Sequence, residues 1–233
     1  MYRDDRLVIL DADGTTIDAF TAIGRTFAEH GMDIGPLDRF QKRRHLFKYL
    51  GGIKEFPGNL KKQISAGKRA RLVATLTEIY REEARLYEGI APLLERLVET
   101  PDLRVGIVTR NITQEPVTTI ERLLGRVGID PEGFDFLVHL PLRADKLPAF
   151  RELRERFEVN PARAFVCGDE SRDYRAAVSA GMHPFIVSYG FEGYDRLHLK
   201  HGVPAEVISR TPGALVERIS HGLALGVSGA GAA

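Results

Sequence analysis

Two carboxylates two positions apart, Asp11 and Asp13, stand directly after the apolar run Leu7-Val8-Ile9-Leu10 and before Gly14-Thr15. A buried strand stopped in this way would set both acids and the free backbone N–H groups of the turn on one rim. Such a rim suits a divalent cation and a phosphate together. An acidic turn that merely ends a strand has the same residues, so the pair alone does not decide. Three later stretches bear on the choice. Val105-Gly106-Ile107-Val108 ends in the hydroxyl of Thr109, followed by Arg110 and Asn111. Lys146 comes after the next apolar run, and Gly168-Asp169-Glu170-Ser171-Arg172-Asp173 after the one beyond it. Singly these also read as a strand-end hydroxyl, a solvated lysine and acids capping a helix. Jointly they could carry phosphoryl transfer. A phosphomonoester dianion repels an anionic nucleophile, and a carboxylate attacks it only where cations and donors absorb the charge.

Positioning such a set requires strand ends that converge. Apolar runs at 7–10, 105–109, 136–139, 164–167 and 185–188, with a weaker one at 206–208, alternate with helical spacing at 92–99, 113–126, 147–157 and 173–180. Runs apolar throughout belong to strands covered on both faces, and their alternation with helices predicts a doubly wound, mostly parallel α/β sheet. In such sheets the ligand crevice lies beyond the carboxyl ends of the strands. Asp11, Thr109 and Asp169 each stand at such an end. Residues 16–88 break the rhythm: Phe20, Ile23 and Phe27 share one helical face, as do Leu72, Leu76 and Ile79, with no convincing strand. The expected organisation is an α/β core of 1–15 and 89–222, an inserted α-helical cap of 16–88, and a small-residue-rich flexible tail of 223–233.

The ordered set resembles the four motifs of the haloacid dehalogenase-like superfamily: Asp-x-Asp-Gly-Thr, a Ser or Thr, a Lys, and Gly-Asp-x-x-x-Asp. Ala176-Ala177 and Ala180-Gly181-Met182 follow the last motif as in phosphoglycolate phosphatase-like members. The resemblance implies a Rossmann-like core and a Mg²⁺-dependent phosphatase. It implies that Asp11 is the nucleophile, transiently phosphorylated, and that Asp13 is the general acid and base. Thr109 and Lys146 would hold the phosphoryl group. Asp11, Asp169 and the Asp13 carbonyl would bind Mg²⁺, supported by Asp173, Gly14, Arg110 and Asn111. Departures are Thr16 where leucine is usual, Arg110 between Thr109 and Asn111, and Lys146-Leu147-Pro148 for the commoner Lys-Pro, which leaves Arg143 as a fallback cation. An acid at Asp13 argues against dehalogenation. A phosphomutase, a phosphonate hydrolase and a phosphate-binding module without turnover are the alternatives.

Charge is uneven. Residues 16–88 hold 14 Lys+Arg against 9 Asp+Glu, a balance of +5, whereas the whole chain is +1. A basic lid over an acidic site would attract an anionic metabolite. In related capped members a loop between cap helices reads the leaving group, and by that resemblance Arg44 and Lys54 are the candidate substrate contacts, although a solvated helix face explains any one of them more readily. Without aromatic interleaving or a recognised binding module, the basic run does not argue for nucleic acid. A single cysteine, Cys167, excludes an intramolecular disulfide. The first ten residues lack a signal-peptide apolar region and no stretch is long enough to span a bilayer, so a cytoplasmic protein away from membranes is expected.

Overall fold

The computed structural model describes residues 2–36, 38, 41 and 66–225. Six parallel strands form one sheet in the order β3-β2-β1-β4-β5-β6, where β1 is Arg6–Leu10, β2 Leu103–Thr109, β3 Phe136–His139, β4 Ala164–Gly168, β5 His183–Val187 and β6 Ile208–Ser209. The apolar runs predict this sheet because its inner strands are buried on both faces: Leu7 to Leu10 are at most 1% exposed. The chain winds outward through β2 and β3, returns to lay β4 on the other side of β1, and continues through β5 and β6. The reversal puts the crevice beside the carboxyl end of β1, where Leu10 is in register with both Ile107 and Cys167. Cys167 is buried within β4.

The helices of the core are α3 (Ile90–Glu99), α4 (Pro116–Arg126), α5 (Leu147–Arg156), α6 (Ser171–Ser179) and α7 (Pro212–Gly222). Three of them begin elsewhere than their periodicity predicts: α3 starts two residues early, at Ile90 after Gly89, and the other two differ for reasons of side-chain bonding. α4 starts at Pro116, three residues late, because Thr113 is bonded to Asn111 and proline suits the first helical position. α6 starts two residues early, at Ser171, because Glu170 and Asp173 form a reciprocal capping box. The weak run at 206–208 becomes a 3₁₀ turn, Ala205–Val207, and then β6.

Helices α1 (Ala19–Glu29) and α2 (Ala66–Glu82) belong to the insert. Ile23 and Phe27 of α1 and Leu72, Leu76 and Ile79 of α2 are buried in one cluster with core residues, while Phe20 packs partly buried against it. α2 also rests on α4: Arg81 pairs with Glu115 at 2.8 Å, and Thr77 Oγ1 accepts from the Gln114 N–H at 2.8 Å. The segments entering and leaving the insert form a single antiparallel bridge at Ile17 and Leu86, with Asp18 N–H to Arg85 O at 2.9 Å and Tyr87 N–H to Thr16 O at 3.0 Å. Arg44 and Lys54 lie outside the described residues. So do residues 226–233 of the expected tail, but Leu223, also assigned to it, is 1% exposed and packs in the core. Among the described residues no helix is long and apolar enough to cross a membrane.

β2 and β3 approach closely at Gly106, where a Cβ would overlap the carbonyl oxygen and ring of Phe136. Gly106→Ala is expected to cost about 1–3 kcal/mol by overpacking. Thermal unfolding would read this as a lowered midpoint, and an unchanged one would contradict the contact.

Candidate active site

Asp11 follows β1 with its backbone N–H bonded to Cys167 O at 2.9 Å, which ties the first acid to the neighbouring strand β4. The chain then turns tightly. Gly14 has φ 79°, and the Ile17 N–H returns to Ala12 O at 2.9 Å. Thr16, the departure from leucine, is buried and donates its hydroxyl to Asp11 O at 3.0 Å, bracing the turn. One Asp11 carboxylate oxygen accepts from the Ala12 N–H at 2.9 Å, and the other meets Lys146 Nζ at 2.8 Å.

Lys146 sits at the start of α5, is 3% exposed, and also reaches Asp173 at 3.1 Å. Arg143 is exposed, so the lysine occupies the site despite its unusual Leu-Pro sequel. Thr109, fully buried at the end of β2, accepts from the Asn111 N–H at 3.1 Å. Arg110 is buried too. It turns to Glu170 in a close ion pair and lies 3.7 Å from Asp173, joining the loops after β2 and β4.

The Asp13 carboxylate has partners of its own. Both its oxygens accept from Asn111 Nδ2 at 3.0 Å, and Oδ1 accepts from the Tyr80 hydroxyl at 2.7 Å. Asn111 is itself fixed, since its Oδ1 accepts from the Thr113 N–H at 2.8 Å and its carbonyl lies 3.0 Å from His139 Nε2. Tyr80, on α2, was not singled out from the sequence. Its signal was available: it extends the Leu72, Leu76 stripe by one more turn, and a tyrosine buried on an apolar face needs a partner for its hydroxyl. Burial raises the Asp13 carboxyl from 3.8 to about 6, against the lowering effect of its bonds to Tyr80 and Asn111. Burial and the nearby Asp13 carboxylate likewise push the Tyr80 hydroxyl up.

The carboxylates of Asp11, Asp169 and Asp173 each offer an oxygen within 4.8 Å of the others. Asp169 Oδ2 accepts from the Phe191 N–H at 2.6 Å, whereas its Oδ1 is buried with no hydrogen-bond partner. Asp173 is engaged on both sides, by Lys146 and by the Glu170 N–H at 3.0 Å. A Cβ on Gly14 or on Gly190 would overlap Asp169 Oδ2, so both glycines let backbone close around this acid. Burial raises the Asp11 carboxyl despite Lys146, and burial together with Asp11 and Asp173 raises that of Asp169. The buried acids Asp11, Asp169, Glu170 and Asp173 face the buried cations Lys146 and Arg110, an excess of two negative charges. One divalent cation on oxygen ligands fits this donor set. Asp173 joins Asp11 and Asp169 in this grouping of side chains, while the Asp13 carboxylate is bonded to Tyr80 and Asn111.

Known proteins are similar over nearly the whole chain. A phosphoglycolate phosphatase of Synechococcus elongatus is 26% identical over 225 residues, 91% of this chain and 96% of the relative. Among solved structures, a haloacid dehalogenase-like family protein from Streptococcus pneumoniae superposes with a TM-score of 0.62 at 20% identity, covering 92% of this chain and 98% of its own. CbbY from Rhodobacter sphaeroides, in complex with phosphate, gives 0.57 at 20% identity over 82% and 89%. The family model described as haloacid dehalogenase-like hydrolase matches residues 8–187, from the second residue of β1 to the last of β5. The strand order, the converging acids and this match together establish that the chain belongs to the haloacid dehalogenase-like hydrolases.

Proposed function

We propose that this chain is a Mg²⁺-dependent phosphatase that hydrolyses a small phosphorylated metabolite, phosphoglycolate-like or a sugar phosphate, through an aspartyl phosphate on Asp11. The observation that carries the reading is the meeting of Asp11 with Lys146 at 2.8 Å beside the unpartnered oxygen of Asp169. Asp11 and Asp169 would hold Mg²⁺ with the Asp13 carbonyl, and Asp173 would anchor Lys146. Bound there, the cation supplies charge neutralisation for an anionic nucleophile approaching an anionic phosphoryl group.

Asp11 attacks phosphorus as the ester P–O bond breaks, and Asp13 gives its proton to the departing alkoxide. Water then attacks the phosphorus, Asp13 takes a proton from it, and the bond to Asp11 breaks to release phosphate. Lys146 and the Thr109 hydroxyl balance and orient the phosphoryl oxygens. A group that is acid in one step and base in the next works best with a pKa near the working pH, and Asp13 at about 6 meets this. Helix α2, through Tyr80, covers Asp13, and the insert that includes it excludes bulk water during transfer. Its excess of basic residues favours anionic substrates.

Phosphate release across a panel of phosphorylated metabolites, with and without EDTA, tests the proposal. Turnover of at least one, abolished by EDTA, is expected, while EDTA-insensitive release would refute the mechanism. Isomerised sugar phosphate in place of free phosphate would identify a mutase instead. Tyr80→Phe removes a bond that lowers the Asp13 pKa, so that pKa should rise. The pH optimum is then expected to move upward, with kcat reduced about tenfold as acid–base positioning loosens. A pH–rate profile identical to wild type would contradict the contact.

A further inference from the structure

Glu192 is a buried acid that the proposed reaction does not use. It is 1% exposed and lies in the loop that follows β5. Its Oε2 accepts from the Ser171 N–H at 2.6 Å, at the first residue of α6, and its Oε1 accepts from Arg196 Nε at 3.1 Å. The residue before it, Phe191, gives its N–H to Asp169 Oδ2 at 2.6 Å. The residue before that, Gly190, has its Cα close enough to Asp169 that any side chain there would collide with the carboxylate. On its outer side the Gly190 carbonyl accepts from Gln41 Nε2 of the insert at 2.6 Å.

The loop therefore grips Asp169 by one oxygen and leaves the other, Oδ1, buried and without a partner. A carboxylate held this way has one oxygen committed to orientation and one available for a cation. The grip is only as good as the anchorage of the loop, and Glu192 supplies it: a charge-assisted bond to the helix that starts two residues beyond Asp169. Asp169 is thus fixed from two directions, by its own chain into α6 and by the loop that Glu192 ties to the same helix. Partners outside the ligand sphere that orient a ligand carboxylate tune cation affinity by about 10–100-fold.

We infer that Glu192 is the positioning residue of the cation site, acting through the Ser171 N–H to hold the Phe191 N–H on Asp169. The inference rests on the proposed cation-dependent function. Its test is Mg²⁺ affinity measured by calorimetric titration of the full chain, a readout independent of turnover. Glu192→Ala is expected to weaken binding about tenfold or more, while Glu192→Gln, which keeps an acceptor for the Ser171 N–H, should stay within about threefold of wild type. A merely structural role would lower the unfolding midpoint without this selective recovery of affinity.

Should Glu192→Ala fail to fold, Ser171→Pro asks the same question from the other side of the bond. Proline is suited to the first residue of a helix, and Glu170 before it already has the extended backbone that precedes proline, φ −116° and ψ 149°. That variant deletes the N–H that Glu192 binds, and the same loss of affinity is expected. Wild-type affinity in Glu192→Ala or in Ser171→Pro overturns the inference, and so does a Glu192→Gln protein as weak as Glu192→Ala. A wild type that binds no Mg²⁺ overturns the proposed function together with the inference, whereas binding by wild type and Glu192→Ala alike overturns the inference alone.

Discussion

Asp11→Asn is expected to lower kcat by about 10⁴-fold or more, because the amide cannot act as the nucleophile and the remaining groups cannot replace it. The substitution preserves shape. Its amide oxygen can still accept from the Ala12 N–H now bonded to Oδ1, and Lys146 keeps its second partner, Asp173, at 3.1 Å. Loss of turnover would therefore not reflect loss of the fold, and an unfolding midpoint close to wild type checks this. Rapid acid quench with a labelled phosphomonoester supplies the decisive measurement. Wild type should carry a hydroxylamine-labile phosphoryl label, as an acyl phosphate must, and Asp11→Asn should carry none. Equal turnover in the two proteins, or a label retained by the variant, would sink the assignment.

In EDTA at neutral pH, Asp169→Asn is expected to be more stable than wild type. Burial and the neighbouring Asp11 and Asp173 raise the Asp169 carboxyl, and burial raises those of Asp11 and Asp13 as well. A carboxyl whose folded pKa lies above its unfolded value binds its proton more tightly when folded. Its ionisation thus costs stability, and the cost grows as pH rises from the unfolded value through the folded one. For Asp13 that window runs from 3.8 to about 6. Without a cation the wild type should accordingly be more stable at pH 5 than at pH 7.

Asparagine removes the charge at Asp169 and keeps an acceptor for the Phe191 N–H. The gain is on the order of 2 kcal/mol, set by the penalty for an uncompensated buried charge. In a chain of this length it appears as an unfolding midpoint about 5 °C higher. Adding Mg²⁺ should reverse the order. A cation at a hundredfold excess over its Kd stabilises the wild type by about 3 kcal/mol, and the variant should lose most of that response. A variant less stable in EDTA, with its Mg²⁺ response intact, would show that Asp169 does not face the cation. The trade is physically reasonable, because an active site assembles like charges that the fold alone would avoid.

The inner strands were legible because a parallel sheet covered on both faces demands uninterrupted apolar runs, as at residues 7–10. Helix starts were less legible. Those of α4 and α6 depend on which polar side chain bonds which backbone group, as Thr113 does with Asn111 and Glu170 with Asp173. Asp11, Thr109, Lys146 and Asp169 were readable only as an ordered set that resembles the family's motifs, since each residue alone has a plainer reading.

Partnership was not readable. Local order along the chain dictated that Asp11, Thr109, Lys146 and Asp169 arrive at one end of one sheet, because successive parallel strands must all present their carboxyl ends on the same side. Only three-dimensional packing decided that Lys146 and not Arg143 meets Asp11, that Tyr80 of α2 reaches Asp13, and that Glu192 anchors the loop gripping Asp169. These contacts join residues far apart in the chain, 67 positions in the case of Tyr80 and Asp13. No periodicity encodes such a pairing. It follows from how helices seat on the sheet, and it is enforced by the cost of burying a charged or hydroxyl group without a partner.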